Sequence, residues 1–428
     1  MNKEMKKVPT VRFKGFTDDW EQRKLGDVFT SLQNNTLSRA DLSDEGGLAL
    51  NIHYGDILIK YGEFLDVSKE RIPYLTNKKT IDKFKKSHLQ NGDIVVSDTA
   101  EDETVGKCTE INGVTTQIVL SGLHTIPLRP VQRFAKGYFG SYLNSEAYHA
   151  QLKPLMQGIK VTSISKRAIQ DTTVIYPLDL MEQEKIGQYF LSLDHLITLH
   201  QRKLDQLQTL KKYFLQNMFP AKGEKVPAIR FKGFMGDWEE HKFEDLFVVK
   251  SGYAFKAHDY VEKGVPIVNG ESIKAGYISK DNLNFLPNIF ISEYPDVILN
   301  NGDIVLGLNR PVIQGRLKIS RIPLELDGSL LYQRAGKILF RKKVNHDFSY
   351  QLLSEEILKF AKREAVGSDQ PFITTSKLNK WRFMVPEVEE QKKIGSYLNY
   401  LDNLITLKQR KLDQLQSLKK FMLQNLFI

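Results

Sequence analysis

Residues 183–219 read QEKIGQYFLSLDHLITLHQRKLDQLQTLKKYFLQNMF, and residues 391–427 read QKKIGSYLNYLDNLITLKQRKLDQLQSLKKFMLQNLF. The two stretches are identical at 26 of 37 aligned positions. In both, apolar side chains recur at alternating spacings of four and three residues, the pattern of a coiled-coil seam. These stretches therefore predict two long helices, each on the order of 55 Å in length.

Equivalent positions interrupt the apolar stripe in the two predicted helices, as at Lys211 and Lys419. The long aliphatic stem of lysine can reach solvent from a seam, whereas a polar seam residue can also fix the register of two helices. Both explanations stay open from the sequence. The predicted seam consists of Ile186, Phe190, Leu193, Ile197, Leu204 and Leu207, with Ile394, Leu398, Leu401, Ile405, Leu412 and Leu415.

A second repeat lies upstream of each helix. Residues 8–29 and 226–247 are identical at 13 of 22 positions, whereas the regions between the repeated segments share little beyond the turn sequence Asn-Gly-Asp-Ile-Val at 91–95 and 301–305. We interpret the chain as a duplicated unit whose similar ends meet the same kind of partner and whose dissimilar middles meet different targets. A duplication with a tolerant middle is the alternative.

The middles have the composition of mixed α/β modules. Short β-type runs follow the Asn-Gly turns, while Ala135–Gln151 and Tyr350–Ala365 are predicted helices. Trp20, Trp238 and Trp381 are expected to anchor cores. The expected fold class is therefore α/β (α+β): two tandem mixed α/β domains at 1–180 and 223–388, separated by long helices at 181–222 and 389–428.

Two such helices most simply pack on each other. An antiparallel coiled coil would relate the two modules by a pseudo-twofold axis. Double-stranded DNA has the same pseudo-symmetry, and dimeric readers contact half-sites about 34 Å apart or at multiples of that spacing. A pair of helices of this length suits such a spacer.

Composition fits a cytoplasmic protein. The charged start, 1–7, has no apolar run behind it, so no secretory signal is expected, and no stretch is apolar enough to span a bilayer. The single cysteine, Cys108, makes an internal disulfide impossible. The net charge is +10, of which +7 lies in 183–219 and 391–428, so any DNA contact by the nearly neutral modules must use local clusters.

Polar loops supply the candidate DNA contacts, because Arg and Lys suit guanine, Asn and Gln suit adenine, and Ser and Thr adapt to either. A solvated loop is the alternative for each of them. The lysine-rich stretch 78–86 is a candidate phosphate contact. The candidate residues are Asn34, Asn35, Thr36, Ser97, Thr99, Lys107, Lys160, Thr162 and Ser163 in the first module, and Ser251, Tyr253, Lys256, Asn309, Arg310, Gln314, Arg316, Ser368 and Gln370 in the second.

Signatures of catalysis are missing from the sequence. There is no GxxxxGK[ST] phosphate loop, no GxGxxG fingerprint and no motif for methylating a base amino group. The histidines do not fall at metal-ligand spacing, and a solvated loop explains the acidic run 101–103 better than a metal site does. The chain is therefore expected to have no catalytic residues, no metal and no cofactor of its own.

Several repeated motifs appear in a fixed order. They are Pro9-x-x-Arg12-Phe13-x-Gly15-Phe16 with Trp20, the Asn-Gly-Asp-Ile-Val turns, Ser165-x-x-x-Ile169 before Pro177, Thr374-x-x-x-Leu378 before Pro386, and the helix openings Gln183-x-Lys185-Ile186-Gly187 and Gln391-x-Lys393-Ile394-Gly395. In this order, and over nearly the whole chain, the sequence resembles the specificity subunit of type I restriction–modification enzymes.

The resemblance implies two target-recognition domains that each read half of a split DNA site, and an antiparallel helix pair that sets the spacing. It also implies two modification subunits that bind S-adenosylmethionine, and motor–nuclease subunits that use ATP and Mg²⁺. Docking of the modification subunits is expected at the exposed repeats containing Arg202, Lys203, Arg410 and Lys411, for which a solvated helix face is the alternative.

Two other functions stay open from the sequence. One is a protein–protein adaptor that joins two identical partners without reading DNA. The other is a nuclease whose active site has no recognisable local motif. Salt-dependent, sequence-specific DNA binding separates the adaptor from the DNA reader, and cleavage of DNA by the purified chain with Mg²⁺ would indicate the nuclease.

Overall fold

The computed structural model of the chain describes residues 8–158, 160–281, 283–364 and 371–428. The chain divides into two compact units, of which the first extends to Arg202 and also contains Gln409–Ile428, and the second is Lys203–Lys408. Both units combine β-sheets with short helices, and both contain parts of two 38-residue helices. The predicted class, mixed α/β modules with two long helices, is confirmed.

The first unit begins with an edge strand and ends its module at the first long helix. Its strands are β1 (Glu21–Lys24), β2 (Phe29–Ser31), β3 (Ala49–Ile52), β4 (Phe64–Asp66), β5 (Tyr74–Leu75), β6 (Ile94–Ser97), β7 (Thr99–Ala100), β8 (Cys108–Asn112), β9 (Val119–Ser121), β10 (Thr125–Pro130), β11 (Thr162–Ser163) and β12 (Thr173–Tyr176). Its helices are α1 (Leu25–Val28), α2 (Tyr54–Ile59), α3 (Lys78–Lys83), α4 (Tyr138–Leu143), α5 (Glu146–Leu152), α6 (Lys166–Gln170) and the start of α7 (Leu180–Asn217).

Two sheets organise this module. The larger has the order β2-β10-β6-β8-β4 and the smaller the order β5-β3-β9, while β1 pairs with β12 and β7 with β11. Gly92 in the predicted turn has a φ of +90°, a conformation that glycine adopts without steric cost, and β6 follows directly. The predicted helix at 135–151 is divided into α4 and α5, because the Asn144 side chain bonds to the backbone of Cys108 and Ser145 caps α5.

The second unit repeats this plan. Its strands are β13 (Glu239–Lys242), β14 (Phe247–Ser251), β15 (Val265–Val268), β16 (Phe285–Leu286), β17 (Ile304–Gly307), β18 (Val312–Ile313), β19 (Arg316–Leu317), β20 (Ile319–Arg321), β21 (Leu330–Leu331), β22 (Ala335–Phe340) and β23 (Arg382–Val385). Its helices are α8 (Phe243–Leu246), α9 (Phe290–Glu293), α10 (His346–Glu364), α11 (Thr375–Asn379) and the start of α12 (Val388–Asn425).

The sheets of the second unit correspond to those of the first. The order β14-β22-β17-β20 matches β2-β10-β6-β8, the order β16-β15-β21 matches β5-β3-β9, and β13 pairs with β23 as β1 pairs with β12. Trp20 and Trp238 are each 2% exposed, so both serve as core anchors as predicted, whereas Trp381 is half-buried and packs against the core of the second unit. The repeated sequence segments therefore enclose modules with the same strand order in these sheets, although β4 has no counterpart and the β18–β19 hairpin is found in the second unit.

The long helices pack antiparallel within each unit. In the first unit the start of α7 meets the end of α12, where the Phe190 and Phe427 rings stack with centroids 5.6 Å apart. In the second unit the end of α7 meets the start of α12, where the Phe214 and Tyr397 rings lie 5.1 Å apart. No helix in the described part of the chain has the length and apolarity needed to cross a membrane.

The predicted seam residues are largely withdrawn from solvent. Through these side chains the helices join the cores of the modules themselves, because Ile186 and Phe190 belong to the main core of the first unit and Ile394, Leu398 and Leu401 to that of the second. The buried members are Ile186, Phe190, Leu193, Leu204, Ile394, Leu398, Leu401, Leu412 and Leu415, and the half-buried members are Ile197, Leu207 and Ile405.

Paired lysines and aspartates bind the helices to each other. The Lys419 Nζ atom lies 2.6 Å from Asp194 on α7 and 2.6 Å from Glu63, all within the first unit. At the equivalent place in the second unit, Lys211 forms an ion pair with Asp402. These lysines point at partners rather than into solvent, as expected of polar seam residues that favour one register.

The N-terminal motif of each unit is held by the opening of its long helix. Arg12 forms a bidentate pair with Glu182, through bonds of 2.7 and 2.9 Å from Nε and Nη2. The carboxylate of Glu182 is only 1% exposed. Arg230 and Glu390 repeat this pair in the second unit. The two segments that are alike in the sequence are therefore partners in the fold.

The Gly187 position shows why the helix opening contains glycine. A Cβ atom at Gly187 would lie 2.3 Å from the Lys136 carbonyl oxygen, and one at Gly395 would lie 2.5 Å from the Phe348 amide nitrogen. Glycine is thus required for the close approach of the helix to the module, at a modest cost in helix propensity.

Substituting Arg12→Ala should destabilise the first unit by about 3 kcal/mol, because it leaves the buried Glu182 carboxylate without its partner. Thermal unfolding and hydrogen exchange over residues 8–24 measure the effect. The control is Arg23→Ala, whose pair with Glu21 is exposed and contributes little. Equal stability of the two variants would contradict this account.

Substituting Lys419→Met should lower stability most at neutral pH and least near pH 4. Burial raises the pKa of Asp194, and Lys419 opposes that effect. Without the lysine the folded-state pKa of Asp194 rises further above its unfolded value, so stability is retained at low pH and lost as pH increases through the folded pKa. Denaturation from pH 4 to 8 tests this, with the exposed neighbour substituted as Lys420→Met for control. A deficit independent of pH would refute it.

Candidate nucleic-acid interface

The first unit forms a corner where three segments of the module meet. The corner consists of residues 97–99 at the end of β6, the turn 121–124 before β10, and residues 162–164 around β11. The Asp98 amide donates to the His124 carbonyl at 3.1 Å, and the Ile164 amide donates to the Asp98 carbonyl at 2.9 Å. The backbone of this first corner is therefore fixed from two sides.

The second unit forms the same corner from residues 307–309, 331–334 and 371–373. The Leu308 amide donates to the Arg334 carbonyl at 2.9 Å, and the Ile373 amide donates to the Leu308 carbonyl at 2.9 Å. Bonds of the first corner are thus repeated one for one in the second. A neighbouring loop has the same position in both units. The Asn35 amide donates to the Ser121 carbonyl in the first, and the Tyr253 amide donates to the Leu331 carbonyl in the second.

Different side chains occupy the two corners. In the first corner Thr99 donates its hydroxyl to Asp98 at 2.7 Å, and the His124 Nδ1 atom lies 3.3 Å from both residues. The His124 ring also packs edge-on to Tyr54, with centroids 5.3 Å apart. This network orients the imidazole, of which 46% is exposed. It offers an outside partner groups that can either donate or accept hydrogen bonds.

The second corner is aromatic and cationic. Tyr253 packs on Tyr294 with centroids 4.5 Å apart and is 47% exposed, while Arg310 and Arg334 are exposed. The buried Lys318 supports the corner from below, donating to the Asn309 carbonyl at 2.8 Å, and burial lowers its pKa. One backbone arrangement therefore presents two chemically different surfaces.

Many of the predicted contact residues come together at these corners. Asn34 is half-buried and donates to the Gly122 carbonyl at 3.2 Å in the first turn, with Thr36 exposed beside it. β7 pairs with β11, which brings Thr99 opposite Ser163 and places Thr162 next to it. The second corner gathers Ser251, Tyr253, Asn309 and Arg310.

Three predicted contacts need correction. Asn35 is 1% exposed and donates to Asn51 and to the Ser121 carbonyl, and Ser97 is 0% exposed and donates to the Thr99 carbonyl. Lys107 donates to the Leu58 carbonyl at 2.9 Å, and burial lowers its pKa. Asn35 and Ser97 thus use their hydrogen-bonding groups within the module, and Lys107 is half-buried with a donor bound there.

The remaining predicted residues lie away from the corner bonds. Lys160 is exposed just before β11, Lys256 is exposed in the loop after β14, and Gln314 and Arg316 are exposed on the hairpin of β18 and β19. Ser368 and Gln370 lie outside the described residues. On the helices Arg202, Lys203, Arg410 and Lys411 are all exposed, as a docking surface requires.

His124 and Arg334 are corner residues that the sequence analysis does not single out. Both lie 33 residues after the asparagine of the shared Asn-Gly-Asp turn, at 91 and 301. Continuing the alignment from that turn would pair them, although almost nothing between is alike. The corner side chains thus lie in a stretch where the two copies are mostly unlike.

Comparisons with known proteins agree with this architecture. Residues 17–209 and 235–417 each match the family model for the type I restriction modification DNA specificity domain. The type I restriction enzyme MjaVIII specificity subunit of Methanocaldococcus jannaschii is 31% identical over 275 residues, which are 63% of this chain and 64% of the relative. The chain thus spans slightly less than two thirds of that relative.

Two further similarities extend over nearly the full length. The putative type I restriction enzyme MjaX specificity subunit of the same organism is 26% identical over 94% of this chain and 91% of its own. The crystal structure of the type I restriction-modification system S subunit from M. genitalium has the same fold, with a TM-score of 0.65 at 13% identity over 98% of this chain and 99% of that one. Since the family model matches most of the sequence, in two copies, the chain belongs to the type I restriction modification DNA specificity family.

Proposed function

We propose that the chain is the sequence-specific DNA-recognition subunit of a type I restriction–modification complex. Domains 1–180 and 223–388 each read one half of a split target in double-stranded DNA, through the first and second corners. The observation that carries this proposal is the pair of corners with matching backbone bonds and unlike side chains. A reader of two different half-sites requires that combination, since the duplex backbone is uniform and only the base edges differ.

The long helices at 181–222 and 389–428 set the distance between the two half-sites. Two modification subunits dock on them, at surfaces that include Arg202, Lys203, Arg410 and Lys411. The near identity of the helices supports this assignment, because two copies of one partner require two copies of one surface. Restriction subunits complete the assembly.

Chemistry in this proposal belongs to the partner subunits. The modification subunits bind S-adenosylmethionine and methylate adenine, and the restriction subunits use ATP and Mg²⁺. The chain itself is non-catalytic, binds no cofactor and works in the cytoplasm. Its own contribution is positioning, since the segments repeated in the two units hold each corner at a fixed place on its module.

Co-expression with the modification subunit of the same locus tests the proposal. Methylated adenines are then mapped across the host genome by single-molecule sequencing. One split motif with a constant spacer supports the DNA reader. No new methylation, with a stable complex and a modification subunit active with another specificity subunit, would favour the adaptor. Sustained cleavage by the purified chain with Mg²⁺ would favour the nuclease.

Exchanging residues 223–388 for the second module of a related subunit with a different target should change one half of the motif only. The other half and the spacer should persist, because the first corner and both helices are untouched. Methylation mapping of the chimera measures this, and exchange of residues 8–180 is the matched control for the opposite half. A change in both halves would contradict independent reading by the two modules.

A further inference from the structure

Four non-glycine residues in the described part of the chain have a positive φ: His124 at +54°, Arg310 at +43°, Gln314 at +49° and Arg334 at +66°. An L-residue in this left-handed region carries a steric cost of about 1–2 kcal/mol, and such residues cluster at functional sites. His124 and Arg334 are equivalent, each directly preceding the strand that follows the corner turn.

Backbone geometry alone does not explain a side chain at this position. Glycine adopts a positive φ without that cost, and the chain uses Gly92 and Gly302 for this purpose in the shared turns, at φ of +90° and +87°. At the corner turn both units keep a large polar side chain instead. A contact made by the side chain itself accounts for retaining it.

Arg334 has no such contact within the described residues. Its side chain is exposed and forms no hydrogen bond or ion pair with any of them, although its carbonyl accepts from Leu308. The turn beneath it is held on the other side by the Gln333 amide, which donates to the Tyr253 carbonyl at 2.9 Å. The guanidinium therefore projects from a hydrogen-bonded turn, and none of its donors is used by the described residues.

We propose that Arg334 reads the guanine of a G·C pair in the half-site of the second module, and that His124 holds the equivalent base-reading position in the first. This inference rests on the proposed function. The planar guanidinium matches the O6 and N7 acceptors of guanine in the major groove. A rigid turn also lowers the entropy lost when the side chain is ordered on DNA.

The difference between the two residues favours a base over a phosphate. Phosphates are the same in both half-sites, so a phosphate contact would call for a similar cation at each equivalent position. A guanidinium in one unit and an imidazole oriented by Asp98 and Thr99 in the other suit two different base edges. The turn thus fixes the position of the recognition residue, and its side chain determines which base is recognised.

The test uses the full chain, alone and with its modification subunit, bound to a random-sequence duplex DNA library and then sequenced. The variants are Arg334→Gly, which relieves the backbone strain, and Arg334→Lys, which keeps the charge but loses the planar, forked arrangement of guanidinium donors. Arg341→Ala, at the other end of β22, removes an equal charge from an exposed site as the matched control. Circular dichroism confirms that each variant is folded.

The wild type should enrich a split motif with one constant G·C position, which Arg334→Gly no longer selects and Arg334→Lys selects more weakly. Affinity of Arg334→Gly for the wild-type site should fall about 10- to 100-fold, while Arg341→Ala keeps the motif. His124→Ala should relax one position in the other half. If every variant enriches the wild-type motif, the inference is overturned, and a uniform loss with a smaller salt dependence would identify a phosphate contact instead. If the wild type enriches no motif, the proposed function itself fails.

Discussion

Each unit depends on the packing of one helix start against the other helix end. In the first unit the start of α7 packs against the end of α12. In the second unit the start of α12 packs against the end of α7. The Asp194–Lys419 and Asp402–Lys211 pairs occur at equivalent places in these two contacts. A change in either helix therefore has to suit a surface built by the other. Mutual fit of this kind explains the identity of residues in the helix contact, whereas the exposed Arg202–Lys203 and Arg410–Lys411 repeats lie outside that contact.

The same constraint extends to the segments that start each unit. Lys185 lies over the Phe16 ring at 4.8 Å, and Lys393 lies over the Phe234 ring at 5.2 Å. With the buried arginine–glutamate pairs, these contacts join the N-terminal motif to the helix opening in both units. A substitution that breaks these contacts lowers stability strongly, because an unpaired buried carboxylate costs several kcal/mol. The exposed corner side chains, such as Arg310 and Arg334, face solvent, where a substitution costs little stability.

Much of this frame was predictable because it is periodic and repeated. Heptad spacing located the helices and their seam, and the Asn-Gly turns located β6 and β17. The sequence left open whether the seam lysines reach solvent or fix the register, since it does not show that Asp194 and Asp402 face them. Asn35 and Ser97 looked like contacts for a related reason: a polar residue at a strand end is as suited to a buried hydrogen-bond network as to solvent. His124 and Arg334 escaped notice because their common feature is a backbone angle, which residue type does not reveal.

The two modules contact the ion pairs of the long helices through different side chains. In the first unit Glu63, from the variable module, shares Lys419 with Asp194. In the second unit the module contacts the aspartate of the ion pair, because the Gln351 amide donates to Asp402 at 2.7 Å. One module thus contacts the lysine of the helix ion pair, and the other contacts the aspartate. A module is therefore free to vary at its corner, but in both units it brings a hydrogen-bonding group to the ion pair between the helices.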